Sequence, residues 1–133
     1  MPKPRKTLRI PLPPYLAPRL AWRKGLLRAI RRAKRARRIT YDESDHLALN
    51  IRLYLVGRKL DRIDVDNRLK DIMDALQGQI GGEGKKIKKP RDRIIRNDRQ
   101  VWRVTIEKFE RPPKLKDTAG GQLTISRLRL ASR

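Results

Sequence analysis

Aspartates crowd into one short segment of a chain that is otherwise strongly basic. The segment is DRIDVDNRLKDIMDALQG, residues 61–78, and it holds Asp61, Asp64, Asp66, Asp71 and Asp74. The whole chain has 36 Lys and Arg against 14 Asp and Glu, a formal net charge of +22. The concentrated carboxylates therefore either balance neighbouring arginines or carry out chemistry that needs oxygen ligands.

Asp64 and Asp66 have the spacing that such chemistry needs. Side chains two residues apart on an extended segment project to the same side. The pattern then changes to a helix, and we expect Asp66 to cap a helix that begins near Asn67. Lys70 follows Asp66 by one helical turn, on the same face. Two carboxylates could hold a divalent metal that activates water for phosphodiester hydrolysis, and the lysine would stabilise the developing charge.

A third carboxylate is available from RNDRQVW, residues 96–102, where Asp98 lies just before a predicted strand. The chain has no Cys and one His, so any metal would be bound by oxygen ligands, which favours Mg²⁺ or Mn²⁺. A simpler interpretation stays open. An Asp at a helix start is usually a cap, and an Asp with a Lys four residues later is usually a surface ion pair.

The charge of +22 indicates a polyanionic partner, and nucleic acid is the first candidate because Lys and Arg neutralise phosphates. An acidic membrane is the rival, but its usual mark is a basic amphipathic helix with bulky apolar residues. No apolar run is long enough to span a bilayer and no signal peptide is evident, so we expect a cytoplasmic protein without a membrane or small-molecule partner. No base-reading motif appears, which favours recognition of backbone and shape. The candidate phosphate contacts are Arg28, Arg31, Arg32, Lys34, Arg35, Lys85, Lys86, Lys88 and Lys89.

Hydrophobic periodicity predicts one small α+β domain over residues 1–133, in the order β-α-β-α-β-β, with two main helices against a mixed sheet. Residues 1–6 are predicted to be a basic tail and residues 79–96 a basic loop rich in Gly and Lys. The predicted strands are TLRIPL (7–12), HLALNIRLYLVG (46–57), VWRVTIEKF (101–109) and QLTISRLRL (122–130), the last with a bulge or an early end. The predicted helices are 18–38, with an apolar stripe of Leu20, Leu27, Ile30 and Ala33, and a second from about Asn67 to Gly78, with Leu69, Ile72, Met73 and Leu76.

Aromatic residues offer a further nucleic-acid contact, because Trp22, Tyr54 and Trp102 could stack on bases. Trp102 shares strand parity with Val104 and Ile106, however, so we expect it in the core. His46, at the start of the second strand, is expected to be structural.

The motif DVDNRLKDIMDALQG (64–78), with NDRQV (97–101) after it, resembles the RusA family of Holliday-junction resolvases. That family's signature is D-x-D-N-x-x-K-x-x-x-D-A-L, with D-D-x-Q-V later in the chain. IPLPP near the N-terminus and GGQLTI near the C-terminus are similar to that family's first and last strands. The resemblance thus spans most of the chain, and its central motif is the specific part.

The resemblance implies a function as well as a fold. It implies that Asp64, Asp66 and Asp98 are metal-binding catalytic carboxylates, that Lys70 is the essential lysine, and that the enzyme is a homodimer. Such a homodimer nicks four-way DNA junctions with Mg²⁺ or Mn²⁺ in recombination and repair, in a bacterial or phage system. Asp74 and Gln100 fall on motif positions with supporting roles.

The chain departs from the family pattern in three places. One of the paired acids before the final strands is Asn97, the family's Ser-x-Asn after Pro-Pro is replaced by YLAP (15–18), and residues 79–96 are long and basic. Two alternatives therefore stay open beside the nuclease: a basic nucleic-acid-binding protein without enzymatic activity, such as a ribosome-associated or nucleoid-type binder, and a catalytically inactive junction binder.

Overall fold

Alternating apolar residues build a four-stranded sheet with helices on one face. The computed structural model describes residues 7–15, 18–79, 93–115 and 119–128. The strands are β1 (Thr7–Leu12), β2 (Leu47–Leu55), β3 (Val101–Glu110) and β4 (Gly121–Arg127). The helices are α1 (Arg19–Arg37), the single-turn α2 (Lys59–Arg62) and α3 (Val65–Leu76), and a short 3₁₀ helix, Asp98–Gln100, directly precedes β3. The predicted mixed α+β fold is confirmed, with α2 as an added turn.

The strand order in the sheet is β1-β4-β2-β3. β4 is antiparallel to both β1 and β2, whereas β2 and β3 are parallel. The connection from β2 to β3 therefore has to cross over the sheet, and α3 lies on that connection. Only β3 and β1 are edge strands in the described part of the chain.

The core lies between the sheet and the helices. Leu8 and Ile10 of β1, and Ile51 and Leu53 of β2, alternate with exposed or half-buried residues and are at most 3% exposed. This is the period of a strand with one buried face. Leu123 and Ile125 of β4 are also fully buried, and β4 ends at Arg127, so the slip in apolar parity after Ile125 marks an early end and not a bulge.

The turn after β1 is held against the beginning of β4. A Cβ atom on Gly120 would lie 2.1 Å from the carbonyl oxygen of Pro13, so this position accepts only glycine without a backbone shift. The Gly120 N–H donates to the Leu12 oxygen at 3.0 Å, and its own oxygen accepts from the Tyr54 N–H at 3.1 Å. The Pro13–Pro14 turn is therefore fixed to the sheet, and it carries Tyr15 toward the helices.

The predicted apolar stripe of α1 was wrong at two of its four positions. The buried residues are Trp22, Leu26, Ile30 and Ala33, so Ile30 and Ala33 are confirmed and Leu20 and Leu27 are not. Leu20 is 47% exposed and Leu27 is half-buried. Pro18 is the N-cap residue and not part of the first turn. The reason is that α1 packs its tryptophan against the Pro13 turn, since the Trp22 Nε1–H donates to the Pro13 oxygen at 3.1 Å.

The two tryptophans are placed opposite to the predictions: Trp22, a predicted base contact, is buried, and Trp102, predicted to be in the core, is exposed. Trp22 is 3% exposed and so cannot stack on bases, and Trp102 is 58% exposed and so lies outside the core. β3 is an edge strand, and its register against β2 shifts between Leu47 and Ala48, which leaves Trp102 without a partner in the pairing. The parity of Val104 and Ile106 therefore does not extend to Trp102. Val104, on the same strand, is also 38% exposed.

The predicted basic tail, residues 1–6, and most of the predicted basic loop lie outside the described residues. Lys85, Lys86, Lys88 and Lys89 are among the latter. The end of that loop differs from the prediction, because Ile94 and Ile95 are buried in the core. Their N–H groups both donate to the Leu76 oxygen, at 2.9 and 3.1 Å, so this segment is attached to the end of α3.

Candidate active site

Asp64 and Asp66 lie at the head of α3, both exposed. Asp64 is the N-cap residue: its Oδ1 accepts the Asp66 N–H at 2.9 Å and its Oδ2 accepts from Asn67 Nδ2 at 3.3 Å. The prediction that Asp66 would cap the helix was therefore wrong by two residues. The side chain of Asp66 accepts no hydrogen bond and forms no ion pair with any described residue. One carboxylate of the pair thus has a structural role, and the other is free to bind a ligand.

Lys70 lies one turn beyond Asp66 and is also exposed, in agreement with the predicted common face. Asp74 follows by one further turn and is half-buried. Burial raises the pKa of the Asp74 carboxyl, and the nearby Lys70 ammonium opposes that rise. Asp66, Lys70 and Asp74 therefore form a polar stripe along α3, whose opposite side carries the buried Ile72 and Leu76.

Asp71 has a different role from the other aspartates of the segment. Its side chain is fully buried and accepts two hydrogen bonds from Arg19, at 2.9 Å and 2.7 Å, and one from Arg23 Nε at 3.0 Å. Arg68 Nη2 approaches it at 3.7 Å. The hydrogen bond to Asp71 raises the pKa of Arg19. This aspartate therefore balances arginines and ties α1 to α3, which is the first of the two explanations that the sequence left open.

Arg68 is 5% exposed, and its guanidinium lies against two aromatic rings as well as near Asp71. It lies 4.0 Å from the centroid of Tyr15 and 4.9 Å from that of Trp22. Cation–π contacts of this kind are strengthened when the cation is removed from water. The Pro13–Tyr15 turn, α1 and the first turns of α3 are thereby joined, which holds the head of α3 in place.

Asp98 is exposed and begins the 3₁₀ helix that leads into β3, as predicted. Asn97 caps this helix: its Oδ1 accepts the Arg99 N–H at 2.9 Å, and Gln100 Oε1 accepts the Asn97 N–H at 3.3 Å. The Asn97 amide therefore has a structural function. Gln100 is buried and also donates to the Asp42 oxygen at 2.7 Å. Its role is to fix the turn that presents Asp98.

The structure places Asp98 and the Asp64–Asp66 pair near opposite ends of β3. Asp98 precedes Val101, where the strand begins. Lys108, near the strand's end, donates from Nζ to the oxygens of Leu60 and Ile63, the residues just before Asp64. The seven residue steps from Val101 to Lys108 correspond to about 23 Å of extended strand. Accordingly, no group of three His, Cys, Asp or Glu side chains in the described part of one chain is placed to hold a metal ion.

The predicted phosphate-contacting residues of α1 divide into two sets. Arg28, Arg32 and Arg35 are exposed at helical spacing and form a cationic stripe. Arg31 and Lys34 are half-buried, and Lys34 Nζ donates to the Arg93 oxygen at 2.7 Å. Lys34 therefore anchors the segment before β3, whereas the exposed arginines are free of that task.

The sequence reasoning missed two features. The arginine cluster around Asp71 had a signal, because Asp71 is at the i+3 position from Arg68 on the buried side of α3. The contact between Trp102 and His46 had no such signal, since Trp102 lies on β3 and His46 directly precedes β2, and the two residues meet only through the parallel pairing of these strands.

No protein-family model matches the chain, and neither does any curated protein sequence. Among the described residues, no helix has the length and apolar character needed to cross a membrane.

Proposed function

We propose that this protein is a metal-dependent endonuclease that cleaves branched DNA, including four-way junctions, by phosphodiester hydrolysis. The proposal places it in DNA recombination and repair, in the cytoplasm of a bacterium or in a phage-infected cell. The observation that carries it is the free carboxylate of Asp66 beside Asp64, with Lys70 on the same exposed face, in a chain of net charge +22. A protein that only binds phosphates has no need of exposed carboxylates beside its cationic groups.

The carboxylates of Asp64 and Asp66 at the head of α3 are suitable ligands for Mg²⁺ or Mn²⁺, because these ions prefer anionic oxygen donors. Asp64 and Asp66, with Asp98 as a third ligand, would hold the ion. A bound ion of this type supplies an activated water for attack on a phosphodiester. Lys70 would stabilise the negative charge that builds on the phosphate or the leaving oxygen. Asp71 and its arginines would keep the helix that carries these groups in position.

The position of Asp98 requires a second copy of the chain for such a site. Within one chain it lies about the length of β3 from Asp64. An antiparallel pair of β3 strands would bring the beginning of one strand beside the end of the other. Asp98 of the partner subunit would then approach the Asp64–Asp66 pair, and a homodimer would contain two equivalent sites.

The outer edge of β3 supports this arrangement. No described strand pairs with that edge, and an unpaired edge of ten residues is a surface that proteins usually cover. An antiparallel self-pair centred on Thr105 would set Arg103 opposite Glu107 of the partner subunit, and opposite charges across strands are favourable. Val104, 38% exposed, would gain a neighbour.

Mixing two inactive variants tests the shared site. A heterodimer of an Asp66→Asn chain with an Asp98→Asn chain contains one intact site if the carboxylates come from different subunits, and none if they come from the same one. We expect each variant alone to be inactive on a labelled four-way junction with Mg²⁺, and the refolded mixture to recover nicking. A mixture as inactive as its components would refute the shared site.

A non-enzymatic nucleic-acid binder is the second candidate function. It is favoured by the absence of a three-ligand group within the described part of a single chain and by the use of Asn97 as a cap. It includes a junction binder without catalytic activity. Binding of a junction with no cleavage in either Mg²⁺ or Mn²⁺ would establish it in place of the nuclease.

A further inference from the structure

Trp102 is a large aromatic side chain held at the surface. It is 58% exposed, and its indole stacks on the imidazole of His46 with ring centroids 3.8 Å apart and planes 26° apart. The imidazole supports the indole and limits its rotation. A rigid and exposed tryptophan of this kind offers a large contact area at little cost in side-chain entropy.

A cavity of about 310 Å³ adjoins the two rings, where β2 and β3 begin. The floor is fixed before any ligand arrives, because Gln100 Oε1 accepts the Arg96 N–H at 2.9 Å and its Nε2 donates to the Asp42 oxygen at 2.7 Å. The lining residues are Glu43, His46, Asn97, Arg99, Gln100 and Trp102.

Polar groups at the cavity have hydrogen-bonding capacity to spare. Asn97 uses its Oδ1 to cap the 3₁₀ helix, and its Nδ2 donates to no group among the described residues. The exposed Arg99 forms no ion pair within the same part of the chain. An aromatic plane, an amide donor and a guanidinium therefore meet in one place. These groups suit the face of a base, its polar edge and the adjoining phosphate.

We propose that this cavity, the Trp102 pocket, binds one unpaired nucleobase by stacking on the indole. The bases of a duplex are stacked on both faces, so the pocket would take a base from a single strand or from a branch point. The inference rests on nucleic acid being the partner, as in the proposed function, but it requires neither metal nor cleavage. Trp102 follows Asp98 by four residues, so a base held here would lie close to a candidate metal ligand.

The test compares two single strands of equal charge, an eight-residue oligothymidine and an eight-residue abasic strand with the same phosphates. Wild-type protein without metal should bind the oligothymidine at least fivefold more tightly, as expected for one stacked base. Trp102→Ala should remove that difference and leave affinity for the abasic strand unchanged. Val56→Ala, which changes a 50% exposed apolar residue outside the cavity and outside β3, should keep the difference.

Fluorescence gives a second measurement that does not depend on the alanine variant folding. The chain has two tryptophans, and the difference between wild type and Trp102→Phe isolates the emission of Trp102. Oligothymidine should quench that emission, and the abasic strand should quench it far less. Equal affinity of wild type for the two strands overturns the proposal, as does failure to bind either. Emission from Trp102 that changes with protein concentration and not with oligothymidine also overturns it, because the indole would then lie in a subunit contact.

The two proposals fail in different ways. Junction cleavage together with equal affinity for the two single strands would leave the nuclease standing and remove the Trp102 pocket. Base-dependent binding without junction cleavage would do the reverse.

Discussion

Asp71→Asn should strongly destabilise the protein, although it alters none of the candidate metal ligands. The substitution keeps the size of the side chain and removes its charge. Arg19 and Arg23 retain side-chain exposures of 35% and 17%, so both can turn toward water. Arg68 cannot, because its side chain is 7% exposed and lies against Tyr15 and Trp22. The loss in free energy of unfolding therefore comes chiefly from one buried cation, Arg68, that is left without its carboxylate partner.

Breaking a buried ion pair on one side costs about 3–5 kcal/mol, out of a total stability of about 5–15 kcal/mol for a domain. With a urea dependence of about 2 kcal/mol per molar, the unfolding midpoint of Asp71→Asn should fall by roughly 2 M. Urea unfolding followed by circular dichroism measures this. Asp61→Asn is the matched control, since Asp61 is exposed and its change should stay within about 0.5 kcal/mol.

A second substitution checks the cause. Adding Arg68→Met to Asp71→Asn removes the stranded charge and keeps an apolar stem beside Tyr15, so part of the lost stability should return. The reasoning from the buried cation is refuted if the free energy of unfolding of Asp71→Asn lies within about 1 kcal/mol of the wild-type value. It is also refuted if Arg68→Met lowers the stability of the Asp71→Asn protein by as much as it lowers the stability of wild type.

Three other predictions concern rate, salt and pH. Lys70→Ala should lower junction cleavage by roughly 10²–10³ with unchanged urea unfolding, because Lys70 is exposed and its removal leaves no cavity; single-turnover cleavage measures it, and near wild-type turnover would contradict its role. Junction affinity should fall steeply with salt, with a log–log slope equivalent to several phosphate contacts, and a flat response in a filter-binding titration would contradict a phosphate-binding surface. Burial raises the pKa of Tyr41 from 10.0 to about 12, so the neutral phenol is favoured in the fold. Stability from this group is fully present below pH 10 and is lost as the pH rises toward 12, by about 2 kcal/mol; Tyr41→Phe should lack this component in unfolding measured over that range.

The strands and the second main helix were predictable because their apolar residues follow a simple period. The alternation in β2 and the i, i+3, i+4, i+7 spacing of Leu69, Ile72, Met73 and Leu76 each identify one face. The phase of α1 was not predictable in the same way. Its Ala and Leu residues fit more than one stripe, and the choice is made by Trp22, which packs against a turn that lies nine residues earlier.

The helical spacing of Asp66 and Lys70 is local and was predictable, and both residues are exposed one turn apart on α3. The environment of Asp64 was not predictable in the same way, because the helix begins at Val65 and makes Asp64 its N-cap instead of part of an extended pair with Asp66. The position of Asp98 depends on the direction of β3 relative to β2, which is a property of the crossover and not of the local sequence. The exposure of Trp102 likewise depends on the edge position of β3 in the sheet.

Cleavage and binding by Asp66→Asn test the central claim most directly. Asp66 has no structural partner among the described residues, so the substitution should leave the fold intact. On a labelled four-way junction with Mg²⁺, we expect cleavage to collapse, while affinity measured without metal stays equal or rises slightly because a negative charge facing the phosphates is lost. Asp61→Asn should cleave like wild type. Normal cleavage by Asp66→Asn, or loss of junction binding by the folded variant, would contradict the assignment of this carboxylate to a metal site.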